Sequence, residues 1–165
     1  SIFSNEEVMK YAYMDRISDE NEMAEYFDKV ISNAENSQNR SSYEFAVFLH
    51  DEKTFIGFGI ILIGYHLSKI KHGEIGYFLL PQYWGKGFAT EIAGTLTDVC
   101  FRKLKIHKVV ASCNANNSAS EKVMKKIGMT KEAELRKERF KNGNWDNEIR
   151  YGILVEEWGD EVRTF

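Results

Sequence analysis

The chain has 165 residues, 43% of them hydrophobic, enough for one domain with a buried core and too few to make a second domain the expectation. With 22 Lys and Arg against 25 Asp and Glu the formal net charge is −3, so the global basic field of a non-specific nucleic-acid binder is absent and nucleic acid is not expected as a partner. No run approaches the ~18 apolar residues of a membrane span, and the opening SIFSNEEVMK has neither a basic n-region nor an apolar h-region, so a soluble, non-secreted, cytoplasmic protein without a membrane partner is expected.

A capping-box pattern at Ser4 and Glu7 marks a short first helix. Ser18 followed by DENE reads as the start of a longer one, with Asp19 and Glu20 near its positive end. Met23, Tyr26, Phe27, Val30, Ile31 and Ala34 then recur with the 3.6-residue period and predict one buried face. After the polar ENSQNRSS, the stretch YEFAVFLHDEKTFIGFGIILIGYHL holds two β-branched and aromatic runs separated at His50 to Lys53, a predicted hairpin. SKIKHG interrupts the pattern and EIGYFLL resumes it as a third strand. Gly87 to Lys105 is the strongest helix, with Phe88, Ala89, Ile92, Ala93, Leu96, Val99, Cys100 and Leu104 on one face and Arg102, Lys103 and Lys105 at the end that favours cations. HKVVASC is a fourth strand. Ser118 to Glu121 reads as a capping box opening a helix to Ile127, with Gly128 at the position just past its end. AELRKERF and WDNEIRYGILV close the chain, joined through KNGN, where Asn142-Gly143 is a hairpin signal. The two cysteines, Cys100 and Cys113, show no metal-ligand spacing and read as core filler. There is no repeat, low-complexity tract or linker. These elements predict an α/β (α+β) domain on one mixed, mainly antiparallel sheet flanked by helices.

The segment LLPQYWGKGFATE, Leu79 to Glu91, contains the only proline, Pro81, and two glycines one residue apart at the start of the strongest helix. The chain there leaves a strand and presents helix first-turn N–H groups, which have no intrahelical partner and suit an anion, above all a phosphate. Gly85 and Gly87 remove the Cβ atoms that would hold a phosphate away. A lone Gly-x-Gly pair is more often a simple turn than a phosphate site, and its spacing alone decides nothing. The spacing does exclude a Walker loop and the dinucleotide G-x-G-x-x-G fingerprint.

Gln82-Tyr83-Trp84-Gly85-Lys86-Gly87 resembles the Q/R-x-x-G-x-G/A signature of the GNAT N-acetyltransferase superfamily, between a strand and its following helix as in that family. NNSASEKVMKKIGM resembles the family's N-x-x-S…K-x-G-F/M segment, with Asn117, Ser120, Lys126, Gly128 and Met129 on the matching positions. EIGYFLLPQYWGKGFATE and YGILVEEW look like the RimJ/RimL-like branch of ribosomal-protein N-terminal acetyltransferases. The resemblance covers nearly the whole chain and implies the GNAT fold over residues 1–165. Its members usually begin with a strand and half a helix ahead of the stretch resembling SNEEVMKYAY, so the first strand is apparently missing. Should the protein start at Ser1, a sheet edge is left uncovered, which makes a homo-oligomer a possible partner arrangement.

The resemblance implies acetyl-CoA as co-substrate and no metal. Backbone N–H groups of Gly85, Lys86, Gly87, Phe88 and Ala89 would cradle the pyrophosphate, with Gln82 bracing the loop; Lys86 adds charge or merely solvates. A bulge in the preceding strand would splay it from its neighbour and free backbone groups of Phe78, Leu79 and Leu80 for the pantetheine arm and thioester oxygen, a segment otherwise read as a buried strand. Asn117 is either a turn residue or an amide partner of that arm. Ser120 either bonds locally in the first helical turn or donates to the departing thiolate, since EKVMKKIGM lacks the tyrosine that many members carry there. For the base that deprotonates the amine, Glu134 and Glu74 are the candidates, each equally readable as an edge charge. His66 and His72 fall in a loop region and rank lower. Tyr77, Tyr83, Trp84 and Trp145 are available to shape an acceptor cleft, although most aromatics should be core. The acceptor amine is a protein N-terminus or a small molecule; a non-catalytic acyl-CoA-binding module and a domain that binds nothing at this loop are the competing readings.

Overall fold

Six strands form one sheet in the order β1-β2-β3-β4-β6-β5: β1 Ser42–Phe48, β2 Phe55–Tyr65, β3 Lys71–Leu79, β4 Lys108–Asn114, β5 Thr130–Lys141 and β6 Asn144–Leu154. The computed structural model describes residues 2–36, 38–50, 53–65 and 71–159. The two hairpins follow from their turns. Leu49 and Thr54 close the first with an N–H···O bond of 2.9 Å. At the second, Asn142 (φ 51°) and Gly143 (φ 78°) supply the paired positive φ angles that match the twist of β5 and β6. His72, expected in a loop, lies on β3 opposite Gly64 and Lys108, and His66 lies outside the described residues.

Every neighbouring pair is antiparallel except β3 and β4, whose parallel pairing needs the helical crossover that joins them. Only three residue pairs hold them together, the last being Glu74 with Val110. Beyond it β3 runs on to Leu79 and β4 to Asn114 unpaired to each other, so the sheet is splayed along its middle. The expected bulge is not in the β2–β3 ladder, whose register is unbroken from Gly57–Leu79 to Tyr65–Lys71.

Helices α3 (Phe88–Asp98) and α4 (Ser118–Lys126) cover one face. A Cβ at Gly59 would meet Leu96 and Ile92 of α3, and one at Gly73 would meet Cys100 and Ile106, which fixes the odd-numbered positions of β2 and β3 on this side. Ile61, Ile75, Leu96, Cys100, Val109, Ile127, Ile149 and Ile153 are buried here, each aliphatic contributing roughly 1.5–3 kcal/mol relative to exposure. Both cysteines are buried and free, as filler residues should be.

The opposite face is covered over β2 and β3 by the N-terminal segment, with α1 (Glu6–Met9) and α2 (Glu20–Glu35). Phe3 stacks on Phe58 at 5.3 Å and meets Phe78 edge-on at 5.7 Å, beside buried Ile2, Met9 and Ile17. The periodic face of α2 is only half-buried through Met23, Tyr26, Phe27 and Val30, and Ile31 is 54% exposed, because this helix lies over the sheet margin.

Several boundaries depart from the sequence reading by the choice of cap. Asn5 rather than Ser4 caps α1, and Asp19 rather than Ser18 caps α2 by accepting from the N–H groups of Asn21 and Glu22 at 2.9 and 3.0 Å. Asn117 rather than Ser118 caps α4, accepting from Ser120 N–H at 3.1 Å. The helix expected over 87–105 is α3 followed by a wider turn over Val99–Lys103, in which Leu104 N–H bonds Val99 O and both Cys100 and Phe101 stay buried. The last element among the described residues is α5 (Val155–Trp158), whose buried Trp158 donates to Asp98 at 2.6 Å. No helix among the described residues is long and apolar enough to cross a membrane.

Candidate active site

After β3, Pro81–Tyr83 form one tight helical turn that directs the chain toward α3. Trp84 Nε1 donates to Leu79 O at 2.8 Å and Trp84 N–H to Pro81 O at 3.1 Å, so this tryptophan braces the loop. Gln82, expected in that role, is exposed and makes no hydrogen bond among the described residues. Gly85 (φ 73°) and Gly87 (φ 91°) adopt the left-handed backbone that disfavours any side chain, and a Cβ on either would project into open space. The N–H groups of Gly85, Lys86, Gly87, Phe88 and Ala89 donate to no protein acceptor among the described residues. Five consecutive open donors thus stand at the positive end of an eleven-residue helix, an arrangement suited to an anion. Phe88 packs on Tyr83, and the Lys86 ammonium sits 5.6 Å from that ring.

This loop follows directly on the splayed end of β3. Leu80 N–H bonds Ile56 O and Leu80 O accepts from Tyr83, so the backbone of Leu80 is used, and by strand alternation that of Phe78 also turns toward β2. The groups facing the gap are therefore those of Leu79 and Tyr77. Of the expected trio only Leu79 is so placed, and its carbonyl is already taken by Trp84.

Tyr77 and Ser120 meet on the α3–α4 side of the gap, with Tyr77 Oη 3.1 Å from Ser120 Oγ. Burial pushes the Tyr77 phenol up to about 12, with the Ser120 contact opposing. Cys113 of β4 lies close by, its thiol pushed up to about 11 by burial. Tyr77 therefore stands beside Ser120, which it reaches from β3. Asn117 spends its carbonyl oxygen on capping, while its amide nitrogen has no partner among the described residues.

The two candidate carboxylates are far from equivalent. Glu134 sits opposite Ile149 on β5, bonded to Lys131 Nζ at 2.9 Å and Asn147 Nδ2 at 3.2 Å, and these contacts, Lys131 first, hold its carboxyl below the usual range. Glu74 is half-buried at the apex of the splay, with no hydrogen-bond partner among the described residues. Register parity puts Glu74 on the sheet face away from Tyr77 and Ser120, so the carboxylate stands at the apex on one face and the hydroxyl pair three residues further along β3 on the other. The remaining aromatics spread out: Tyr83 and Trp84 belong to the loop, and Trp145 is 58% exposed against Phe140 at the hairpin end.

Beside Glu74 on that same face lies an ionic network that the sequence did not announce. Glu148 of β6 is fully buried and accepts from Arg139 Nε at 3.0 Å, Arg150 Nε at 2.7 Å and the Tyr13 hydroxyl. Arg139 also donates to Tyr11 O and lies against the Tyr13 ring, and Lys141 Nζ donates to the carbonyls of Met9, Ala12 and Met14. Burial lowers the Arg139 pKa, whereas its bond to Glu148 raises that of Arg150; the charge of Glu74 reaches both guanidiniums. The alternation Asp146, Glu148, Arg150 against Ile149, Tyr151, Ile153 reads as a solvated face; only docking of the N-terminal segment buries part of it.

Among the described residues the sheet thus splays at its one parallel pair, with five open N–H groups at the start of α3, Tyr77 and Ser120 along the gap and Glu74 at its apex. Residues 1–130 match the family described as Acetyltransferase (GNAT) domain. The chain belongs to the GNAT acetyltransferases, a family of acyl-transferring enzymes. It is 36% identical over 115 residues to the N-acetyltransferase YnaD of Bacillus subtilis, spanning 70% of this chain and 66% of that relative. It is 28% identical over 165 residues to the spermidine N(1)-acetyltransferase of Escherichia coli, spanning 98% and 81%. The fold is that of spermidine N-acetyltransferase from Vibrio cholerae, a structure in complex with CoA and spermine, with TM-score 0.80 and 22% identity, covering 95% of this chain and 88% of that one.

Proposed function

We propose that the protein is an acetyl-CoA-dependent N-acetyltransferase, one domain over residues 1–165, that passes an acetyl group to a primary amine by direct attack. The observation that carries this reading is the row of five N–H groups from Gly85 to Ala89, unpaired among the described residues and following directly on the splayed end of β3, with Tyr77 and Ser120 along the gap and Glu74 at its apex. The cradle fits a pyrophosphate because both glycines leave the anion's approach open and α3 presents its positive end. Bound there, acetyl-CoA supplies an activated acetyl group as a thioester.

The N–H groups of Leu79 and Tyr77 face the gap, where donors of this kind stabilise a developing oxyanion. Glu74, at the apex and with no described cation bonded to it, takes the proton of the incoming amine, directly or through water. Ser120, held by Asn117 and Tyr77, gives a proton to the sulfur as the C–S bond breaks, Tyr77 passes its proton to Ser120, and the phenolate so formed takes one back from water. The phenol, whose pKa burial raises to about 12, stays protonated across the working range and so remains a donor. Glu134 is assigned no part in this step, since Lys131 and Asn147 already occupy its oxygens.

Purified protein with acetyl-CoA and a panel of amines should release free thiol in step with acetylated amine measured by mass spectrometry. Glu74→Gln should lose the acidic limb of the kcat/KM profile, whereas Glu134→Gln should keep it. Thermal stabilisation by CoA without turnover on any amine would replace the enzyme by a binding module, and an intact acidic limb in Glu74→Gln would remove Glu74 from the role of base.

A further inference from the structure

We propose that Arg150 is a specificity-determining residue, which takes an oxygen of the acceptor while Glu74 takes its amine, so that the accepted amine is one that also carries a carboxylate or carbonyl group: a free amino acid or the N-terminal residue of a peptide. The inference rests on the transfer reading above and names its acceptor. Arg150 stands opposite Ser112 of β4, two residues past the last β3–β4 pair, and therefore beside the splay. Its parity with Glu148 sets it on the face that Glu74 also occupies. Its Nε is held at 2.7 Å by Glu148, which is 0% exposed, while the Arg150 side chain as a whole is 49% exposed and its guanidinium meets only Glu138 besides among the described residues, at 4.0 Å. A buried carboxylate thus fixes the direction of a guanidinium whose remaining donors are open, a pre-organised fork for an oxygen acceptor.

The charges around the apex point away from a polycation. Glu148 is saturated by Tyr13, Arg139 and Arg150, Asp146 accepts from Asn114 and Asn116, and Glu138 lies by Arg150, so Glu74 is the carboxylate at the apex with no bonded partner among the described residues, and two guanidiniums stand on the same face within reach of its charge. A polyamine would gain one anionic anchor there and face two like charges. An amine carrying an oxygen acceptor meets a partner for each end.

The test uses the wild-type protein and four acceptors, compared at equal free-base concentration: glycine, a glycyl peptide amide, propylamine and spermidine. Both kcat/KM with acetyl-CoA and binding to the preformed CoA complex by calorimetry are measured. Glycine or the peptide amide should exceed propylamine and spermidine by about tenfold or more, the size expected for one hydrogen bond to a charged group. Whichever of the two leads identifies the free amino acid or the peptide terminus as source. In Arg150→Met this preference should collapse toward a ratio of one, and Arg150→Lys should keep part of it. Binding preference without turnover upholds the acceptor assignment and removes the transfer reading. A wild-type protein that treats propylamine or spermidine as well as the oxygen-bearing amines overturns the assignment, as does an Arg150→Met protein that keeps the preference. Should Arg150→Met fail to fold, the wild-type series by itself still upholds or overturns the assignment.

Discussion

Gly87 and Gly143 offer a matched pair for testing the anion cradle. Both have positive φ, 91° and 78°, and an added Cβ on either meets nothing within 4 Å. Alanine at each position therefore incurs the same kind of cost, the left-handed strain of roughly 1–2 kcal/mol, with no steric clash. For a chain of this size that lowers Tm by roughly 2–8 °C in both variants. They differ in what lies in front of them: Gly87 borders the five N–H groups of the cradle, and Gly143 forms the tip of the β5–β6 hairpin. CoA at a hundredfold excess over Kd should stabilise wild type by about 2.7 kcal/mol. A methyl at Gly87 that displaces one charge-assisted hydrogen bond, about 1.5–3 kcal/mol, raises Kd by roughly ten- to a hundredfold. The CoA stabilisation at that same concentration then falls to between about 0.4 and 1.4 kcal/mol. Gly143→Ala should keep the full ligand shift. The assay is thermal unfolding of the three proteins with and without CoA. Equal ligand shifts in Gly87→Ala and Gly143→Ala would refute the assignment of the cradle, because strain alone would then explain both.

Two further outcomes follow from the hydroxyl pair and its burial. Ser120→Ala and Tyr77→Phe should each lower kcat, Ser120→Ala within the ~10²–10⁴-fold range of acid–base groups, and the double variant should be little worse than the weaker single, since the two act in series; strictly multiplicative losses would show that they act apart. Calorimetric stability should fall as pH rises from about 10 toward 12, because the unfolded chain releases the Tyr77 proton near 10 and the folded chain holds it until about 12, so the folded state binds more protons in that window. Tyr77→Phe should flatten the decline, and an unaltered slope would mean that the phenol is not buried as the structure has it.

Much of the site was legible because its physics is local. The glycine pair at 85 and 87, the helix pattern that begins at Phe88, and the Asn142-Gly143 turn each depend on backbone preferences spanning a few residues, and each appears where the sequence put it. Capping was legible to within one residue: Asn5, Asp19 and Asn117 took the role instead of their serine neighbours, because several side chains in each stretch can accept the same N–H groups and the entry angle of the chain selects one. The bulge expected in β3 and the bracing by Gln82 came from resemblance, and the structure replaces them with an unbroken β2–β3 ladder and with Trp84.

What only the tertiary structure decided lies in pairings across long separations. Tyr77 and Ser120 are 43 residues apart and meet because β3 and α4 converge at the splay. Glu74 and Glu134 look alike in sequence, each a carboxylate on a strand; their difference is that a lysine and an asparagine reach one and no described residue bonds the other. Glu148 reads as one more polar residue in an alternating strand until Tyr13, 135 residues earlier, folds over it. Period and propensity determine which face a side chain takes, but whether that face is wet, buried or charged depends on which distant element packs against it, and short-range preferences carry no information about that.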